Sequence, residues 1–358
     1  MDVIITAPSL DPAKNVSGVS AVAQFIINNN KLCNYIHFEI GRKDNERGGI
    51  FRIKSILKNL AEWRKLLNTY PQAIIHYSFP LSAPSILRDP MFMWIALREK
   101  RQMVVHIHGG VYLTAKTIPY ILNLILKWVF SQRVPFIVLS DKEARLVKEK
   151  FRVREVYSLP NCVDLTNAFS FSREYGHNPL VIGYLGRIAE TKGMNYLLQA
   201  CVELKKRNIP FLLKIAGAEE VKDMFLPSFR DNLKDSFEYC GLVSGQTKID
   251  YLRSLDVFVL PSYFEGLPIS LLECMSYGSI PVVTPVGSIP TIIQDGRNGI
   301  FIKDHDSLSI VTVIEELQSD SQLQKSIGSS ARNTIFTDFN PQKYVVQLNK
   351  IYDTIKRP

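Results

Sequence analysis

Along the 358-residue chain, short apolar runs alternate with longer stretches of helical period, and the alternation occurs twice. In the first half, the runs at 3–7, 35–40, 73–77, 103–108, 136–139 and 156–159 read as buried strands, with helical patterns between most of them. In the second half, runs at 180–185, 211–215, 237–239, 257–260, 280–283 and 299–302 alternate with helical patterns at 192–207, 246–254, 269–277, 307–318 and 321–335. Strand and helix in turn are the pattern of βαβ units, so the expected class is α/β with two Rossmann-like, doubly wound parallel sheets. The stretch 167–179, NAFSFSREYGHNP, is polar and aperiodic and reads as a linker. It separates a first domain at 1–166 from a second at 180–340. From 341 to 358, Tyr344, Leu348, Ile351, Tyr352 and Ile355 share one helical face, which predicts a closing helix packed across the boundary toward the first domain. Open parallel sheets take ligands at the carboxyl ends of their strands, so two facing sheets predict a cleft that draws residues from both halves.

Composition removes several classes. With 46% hydrophobic and 22% charged residues the chain can bury real cores, which excludes disordered and fibrous chains. Five cysteines, with no CxxC or Cys-His spacing, argue against a disulfide framework and a structural zinc site and favour a reducing, cytoplasmic setting. The opening MDVIITAPSLD has no basic n-region and its apolar run is short, so neither a signal peptide nor an anchor is expected.

Charge changes the picture by its placement. Residues 1–165 hold 23 Lys and Arg against 13 Asp and Glu, a net +10, whereas the formal charge of the whole chain is +9. Such asymmetry points to an anionic partner. Nucleic acid is not expected, because the basic residues are not interleaved with an aromatic RNA motif or a helix-turn-helix pattern. Two apolar segments with basic ends, 117–133 and 86–101, are each shorter than the roughly 20 apolar residues of a membrane span. They predict peripheral docking on an anionic membrane surface, with packing in the core as the alternative for either segment.

Two segments carry chemistry. In VIGYLGRIAETKG a buried strand ends in Gly186 and then presents Arg187 and Lys192 before a helix. Glycine admits a ligand to the backbone, the helix start favours anions, and two cations can neutralise two phosphoryl groups. In PSYFEGLPISLLECMSYG, Glu265 lies in a loop and Glu273 in a helix whose first turn suits Pro268. Two carboxylates so placed can hold two ends of an extended ligand through its hydroxyls, while free amides at the helix start meet its phosphates. The bland alternative makes Glu265 a capping acid and Glu273 a solvated one. Asp304-His-Asp306 has the look of a metal-binding Asp-x-Asp, but Asp306 stands where a helix N-cap belongs, and no metal is expected.

These residues resemble the GT4-type family of retaining, nucleotide-sugar-dependent glycosyltransferases with the GT-B fold. The resemblance rests on Glu265 and Glu273 within FEGLPISLLECMSYGSIPVV, on Gly186-Arg187 through Lys192-Gly193, on Pro160-Asn-Cys-Val-Asp164, on Ile215-Ala-Gly217 and on Gly296-Arg-Asn-Gly299. It is thinner in the first half, where it rests on the loop Val16-Ser-Gly18-Val19 and on His108-Gly-Gly110. The resemblance implies that Arg187 and Lys192 bind the pyrophosphate of a UDP- or GDP-linked sugar and that Glu273 holds the ribose. It implies that Glu265, with the backbone of Gly266, Leu267 and Pro268, faces the sugar, and that Gly241, Leu242 and Val243 lie near the base. His108 would sit by the transferred sugar and the acceptor, Gly18 would let the first loop approach the phosphates or the acceptor, and His106 would be structural.

The implied activity is metal-independent hexosyl transfer, with retention, to a glycan or lipid-linked saccharide, in cell-surface polysaccharide biosynthesis and without a resident cofactor. A nucleotide-sugar epimerase on the same fold and a non-catalytic partner subunit are the alternatives. Cys162 stands where the family has glycine, and Thr291 where it commonly has glutamate.

Overall fold

The computed structural model describes residues 1–11, 14–15, 17–41, 50–115 and 117–356. Val16, in the first glycine-containing loop, lies outside them. In chain order the elements are β1 (Asp2–Ala7), α1 (Gly18–Asn29), β2 (Asn34–Glu39), α2 (Ile50–Thr69), β3 (Ile74–Phe79), α3 (Ala83–Arg98), β4 (Met103–Ile107), α4 (Val111–Thr114), α5 (Tyr120–Ser131), β5 (Phe136–Val138), α6 (Asp141–Phe151) and β6 (Val156–Ser158). There follow α7 (Thr166–Phe169), β7 (Leu180–Leu185), α8 (Met194–Lys206), β8 (Phe211–Ala216), α9 (Leu226–Leu233), β9 (Phe237–Gly241), α10 (Gly245–Ser254), β10 (Val257–Leu260), α11 (Ile269–Ser276), β11 (Ile280–Val283), β12 (Ile300–Phe301), α12 (Ser307–Ser319), α13 (Ser321–Asp338) and α14 (Pro341–Lys356). They form two units, 1–161 with 341–358, and 162–340.

The first unit holds one parallel sheet in the order β2-β1-β3-β4-β5-β6. β3 and β4 are buried along their whole length because helices cover both faces, which is why their sequences read as continuous apolar runs rather than alternations. The winding direction reverses between β1 and β3, where Ile4 pairs with Ile75. Trp63 anchors the α2–α3 side, its indole donating to the Phe92 carbonyl at 3.0 Å. The last helix belongs to this unit: Tyr344 of α14 meets Phe25 of α1 edge-on at 5.3 Å, and Leu348 and Tyr352 are fully buried.

The second unit repeats the plan, in the order β12-β11-β10-β7-β8-β9, all parallel. Its winding reverses between β7 and β10, where Ile182 pairs with Val257. Asp306 caps α12 by accepting from the amides of Leu308 and Ser309, and Asp320 caps α13. α9 is an addition to the sequence reading; only Leu226, Phe229 and Leu233 turn inward, too few for a periodic signal. Another difference concerns 167–179. Read as a linker, this stretch packs on the second unit: Arg173 is almost wholly buried, faces Asp256 at 3.6 Å and donates to the Tyr277 carbonyl at 2.8 Å. Cys162 is buried too, its thiol 2.8 Å from the Phe339 carbonyl just beyond α13, and burial pushes that thiol up to about 12.

Candidate functional site

In the second unit the expected residues gather on the carboxyl edge of the sheet, on loops that leave β7 and β10 at the winding reversal. Open sheets of this kind bind ligands at that position. Gly193, at φ +75°, closes the turn before α8 so tightly that a Cβ there would lie 2.0 Å from the Pro261 carbonyl oxygen. Gly287, at φ +59°, presses from the other side, where a Cβ would lie 1.9 Å from the Glu265 carbonyl oxygen. Between these two contacts runs the 261–268 loop. Its backbone is tied down by Tyr263 N to Thr191 O at 3.0 Å, Ser288 N to Gly266 O at 2.9 Å and Thr284 Oγ1 to Ser262 O at 2.5 Å. The loop that carries Glu265 is therefore fixed by backbone on both flanks.

Acids and cations meet there in pairs. Lys192 Nζ donates to Glu265 Oε1 at 2.6 Å. Glu273, the fifth residue of α11, accepts from Lys248 Nζ at 2.6 Å. All four side chains are at most 29% exposed, so water screens these pairs less than it would at the surface. Arg187 lies more openly, with its guanidinium 3.8 Å from Glu220. The Tyr184 phenol, buried and held neutral well above its usual range, donates to the Arg187 carbonyl at 2.6 Å.

The remaining second-unit positions lie near by in chain order and topology. Gly186 directly follows β7, and its amide donates to the Ala216 carbonyl at 3.0 Å. Gly241 closes β9, its carbonyl accepting from Gly217 N at 2.8 Å; Leu242 is exposed and Val243 half-buried. Leu267 is buried, and Pro268 stands at the N-cap of α11 rather than within its first turn. Having no side-chain acceptor, Pro268 does not cap the first amides of that helix. Thr291 sits in a tight 3-10 turn and bonds the Ser288 carbonyl at 2.7 Å. Lys248, Glu220 and Tyr184 belong to this cluster and were not singled out by sequence. Only the apolar context of Tyr184 gave a local signal.

In the first unit, Gly18 opens α1 beyond β1, behind the cap made by Ser17, and among the described residues nothing lies within 4 Å of where a Cβ would be. His108 follows β4 directly. Its ring lies 4.1 Å from that of His106, tilted by 32°. His106 is bonded in turn to His76, Nδ1 to Nε2 at 3.1 Å, and His76 Nδ1 to the Tyr352 hydroxyl at 2.7 Å. Burial lowers His76 and His108 each to about 3 and His106 well below its ordinary value, so all three imidazoles are neutral at neutral pH.

Residues 167–334 match the family described as glycosyl transferases group 1. The chain is 22% identical to an uncharacterized glycosyltransferase of Methanocaldococcus jannaschii over 99% of its own length and 90% of that protein. It is 27% identical to the amylovoran biosynthesis glycosyltransferase AmsK of Erwinia amylovora over 51% of this chain, and spans about half (47%) of that relative. The structure of Anabaena Alr3699/HepE in complex with UDP-glucose superposes with a TM-score of 0.74 at 13% identity, over 99% of this chain and 100% of that one. The shared fold is GT-B.

Two outcomes are expected of this architecture. Gly193→Ala forces a side chain onto the Pro261 carbonyl at positive φ and should cost about 1–3 kcal/mol in denaturant unfolding. The three buried histidines take protons below about pH 6.5 when unfolded but resist them when folded. Their contribution to stability is thus complete above about 6.5 and declines as pH falls toward 3. Thermal midpoints followed down that range should drop, and His76→Asn should make the drop shallower.

Proposed function

We propose, from a segment at 167–334 that belongs to glycosyl transferases group 1, that the chain transfers a hexose from a UDP- or GDP-linked donor to a glycan or lipid-linked saccharide. The transfer retains anomeric configuration, uses no metal, and serves cell-surface polysaccharide biosynthesis. The observation that carries this reading is the pair of contacts Lys192–Glu265 and Lys248–Glu273 on the edge of the sheet where the winding reverses. AmsK, by its name, acts in amylovoran biosynthesis, and HepE was solved with UDP-glucose.

Breaking the anomeric C–O bond leaves a sugar with oxocarbenium character and a pyrophosphate anion. Arg187, Lys192 and the uncapped amides that open α11 stabilise the departing charge, the electrostatic preorganisation that usually supplies the largest catalytic contribution. Glu273 takes the ribose hydroxyls, and Lys248 holds that carboxylate in place. Glu265 and the backbone of 266–268 face the sugar; Gly241, Leu242 and Val243 lie along the base. His108, neutral, offers a ring nitrogen to the transferred sugar or to the acceptor hydroxyl, and Gly18 leaves room for phosphates or acceptor.

The first unit supports a lipid-linked acceptor. Between α2, α3 and α5 lies an apolar groove of about 560 Å³, lined by Met91, Trp94, Leu124 and Trp128 with Arg64 on its rim. Met91, Trp94 and Leu124 are exposed, and the Arg98 guanidinium lies 5.3 Å over the Trp94 ring. Among the described residues no helix is long and apolar enough to cross a membrane. An apolar face with Arg64 and Arg98 beside it, on a half with net charge +10, fits an anionic bilayer surface.

Lys192→Ala and Glu273→Ala should each weaken donor binding about tenfold or more, the loss of one charged hydrogen bond at roughly 1.5–3 kcal/mol, read by calorimetry with nucleotide sugars. His108→Ala should leave donor affinity alone and lower turnover; unchanged kinetics in all three variants refute the site. Nucleotide release with and without acceptor separates transfer from hydrolysis, epimerisation and silence. In flotation with phosphatidylglycerol vesicles the protein should rise with the lipid at low salt and stay behind when Trp94 and Trp128 are both replaced by Ser; absence of enrichment at low salt overturns the membrane reading.

A further inference from the structure

The role given to His108 rests on the reading above, and the polar side chains beneath it extend that reading. They form a continuous series in the first unit, buried but for the half-buried Tyr35: Asn30, Tyr35, Tyr352, His76 and His106. Its direction can be worked out atom by atom. The Leu32 amide points at Asn30 Oδ1 at 3.3 Å, and a backbone amide only donates, so the other terminal atom of Asn30 is its nitrogen. That orientation is matched by Asn349 of α14, which accepts from Asn30 Nδ2 at 2.9 Å and donates back at 3.2 Å.

Asn30 Nδ2 also donates to the Tyr35 hydroxyl at 2.8 Å. Tyr35 therefore has its own proton free for the Tyr352 oxygen at 3.4 Å. Tyr352 in turn donates to His76 Nδ1 at 2.7 Å. His76 then carries its proton on Nε2 and gives it to His106 Nδ1 at 3.1 Å, which leaves His106 as the Nε2–H tautomer. Burial keeps both phenols protonated, so the series carries no charge that could reverse it.

We infer that Tyr352, His76 and His106 are positioning residues for His108. The series locks His106 into one neutral tautomer and one ring plane, and the His108 ring lies against that plane at 4.1 Å. Without the Tyr352 hydroxyl, His76 Nδ1 loses its donor, and both inner histidines are released to exchange tautomers and tilt. His108 then loses a unique platform while the donor-binding loops of the second unit are untouched.

The test combines spectroscopy with kinetics on the full chain. In protein labelled with ¹⁵N-histidine, long-range ¹H–¹⁵N spectra should show His76 and His106 each with a pyridine-type Nδ1 and a protonated Nε2, assigned through His76→Gln and His106→Gln. Tyr352→Phe should mix those tautomers and lower kcat on the order of tenfold, part of the roughly hundredfold that a misplaced group can cost, with donor KM within about twofold of wild type. His76→Gln, whose amide can still donate to His106, should keep more turnover than His76→Leu. Unmixed tautomers in Tyr352→Phe, or wild-type kcat in both Tyr352→Phe and His76→Leu while His108→Ala is impaired, overturn the inference. Wild-type turnover in His108→Ala overturns the role of His108 itself, and the tautomer spectra then judge the series alone.

Discussion

The second unit depends on backbone pressed against backbone. Gly193 meets Pro261 and Gly287 meets Glu265 at distances that leave no room for a side-chain carbon, and main-chain hydrogen bonds close the same seams. A loop after a strand ordinarily has freedom to move. This one has its freedom removed from both sides, so Glu265 is presented by something as stiff as the sheet. Lys192, bonded to Glu265, meets a carboxylate already held in place.

Within the frame, opposite charges stand in contact. Lys192 meets Glu265 and Lys248 meets Glu273, each at 2.6 Å, in a partly dehydrated place. The first unit uses the opposite electrostatics. Burial keeps its three histidines uncharged, and a hydrogen bond joins two of them, His76 and His106.

The inner strands β3, β4, β10 and β11 could be read from sequence because both of their faces are covered, and double burial writes itself as an unbroken apolar run. Arg187, Lys192, Glu265 and Glu273 could be read because each stands one loop or one helical turn from such a run. Lys248 could not: its partner is 25 positions away on another helix, and nothing near it in the chain announces a carboxylate. The same holds for Tyr352 and His76, 276 positions apart. The polar stretch 167–179 misled for a related reason. Arg173 packs against a buried aspartate supplied from far along the chain, and polarity without period reads as a spacer whether or not such a partner exists.

One consequence follows from the place of α14. The helix that completes the first unit, and that supplies both Asn349 and Tyr352, is synthesised only after the whole of 162–340. Domains usually mature in the order in which they leave the ribosome. Here the second unit can finish first, while the amino-terminal sheet waits for its final helix. Until then His76 Nδ1 lacks the Tyr352 hydroxyl, so the interior of the first unit closes only after the second has left the ribosome.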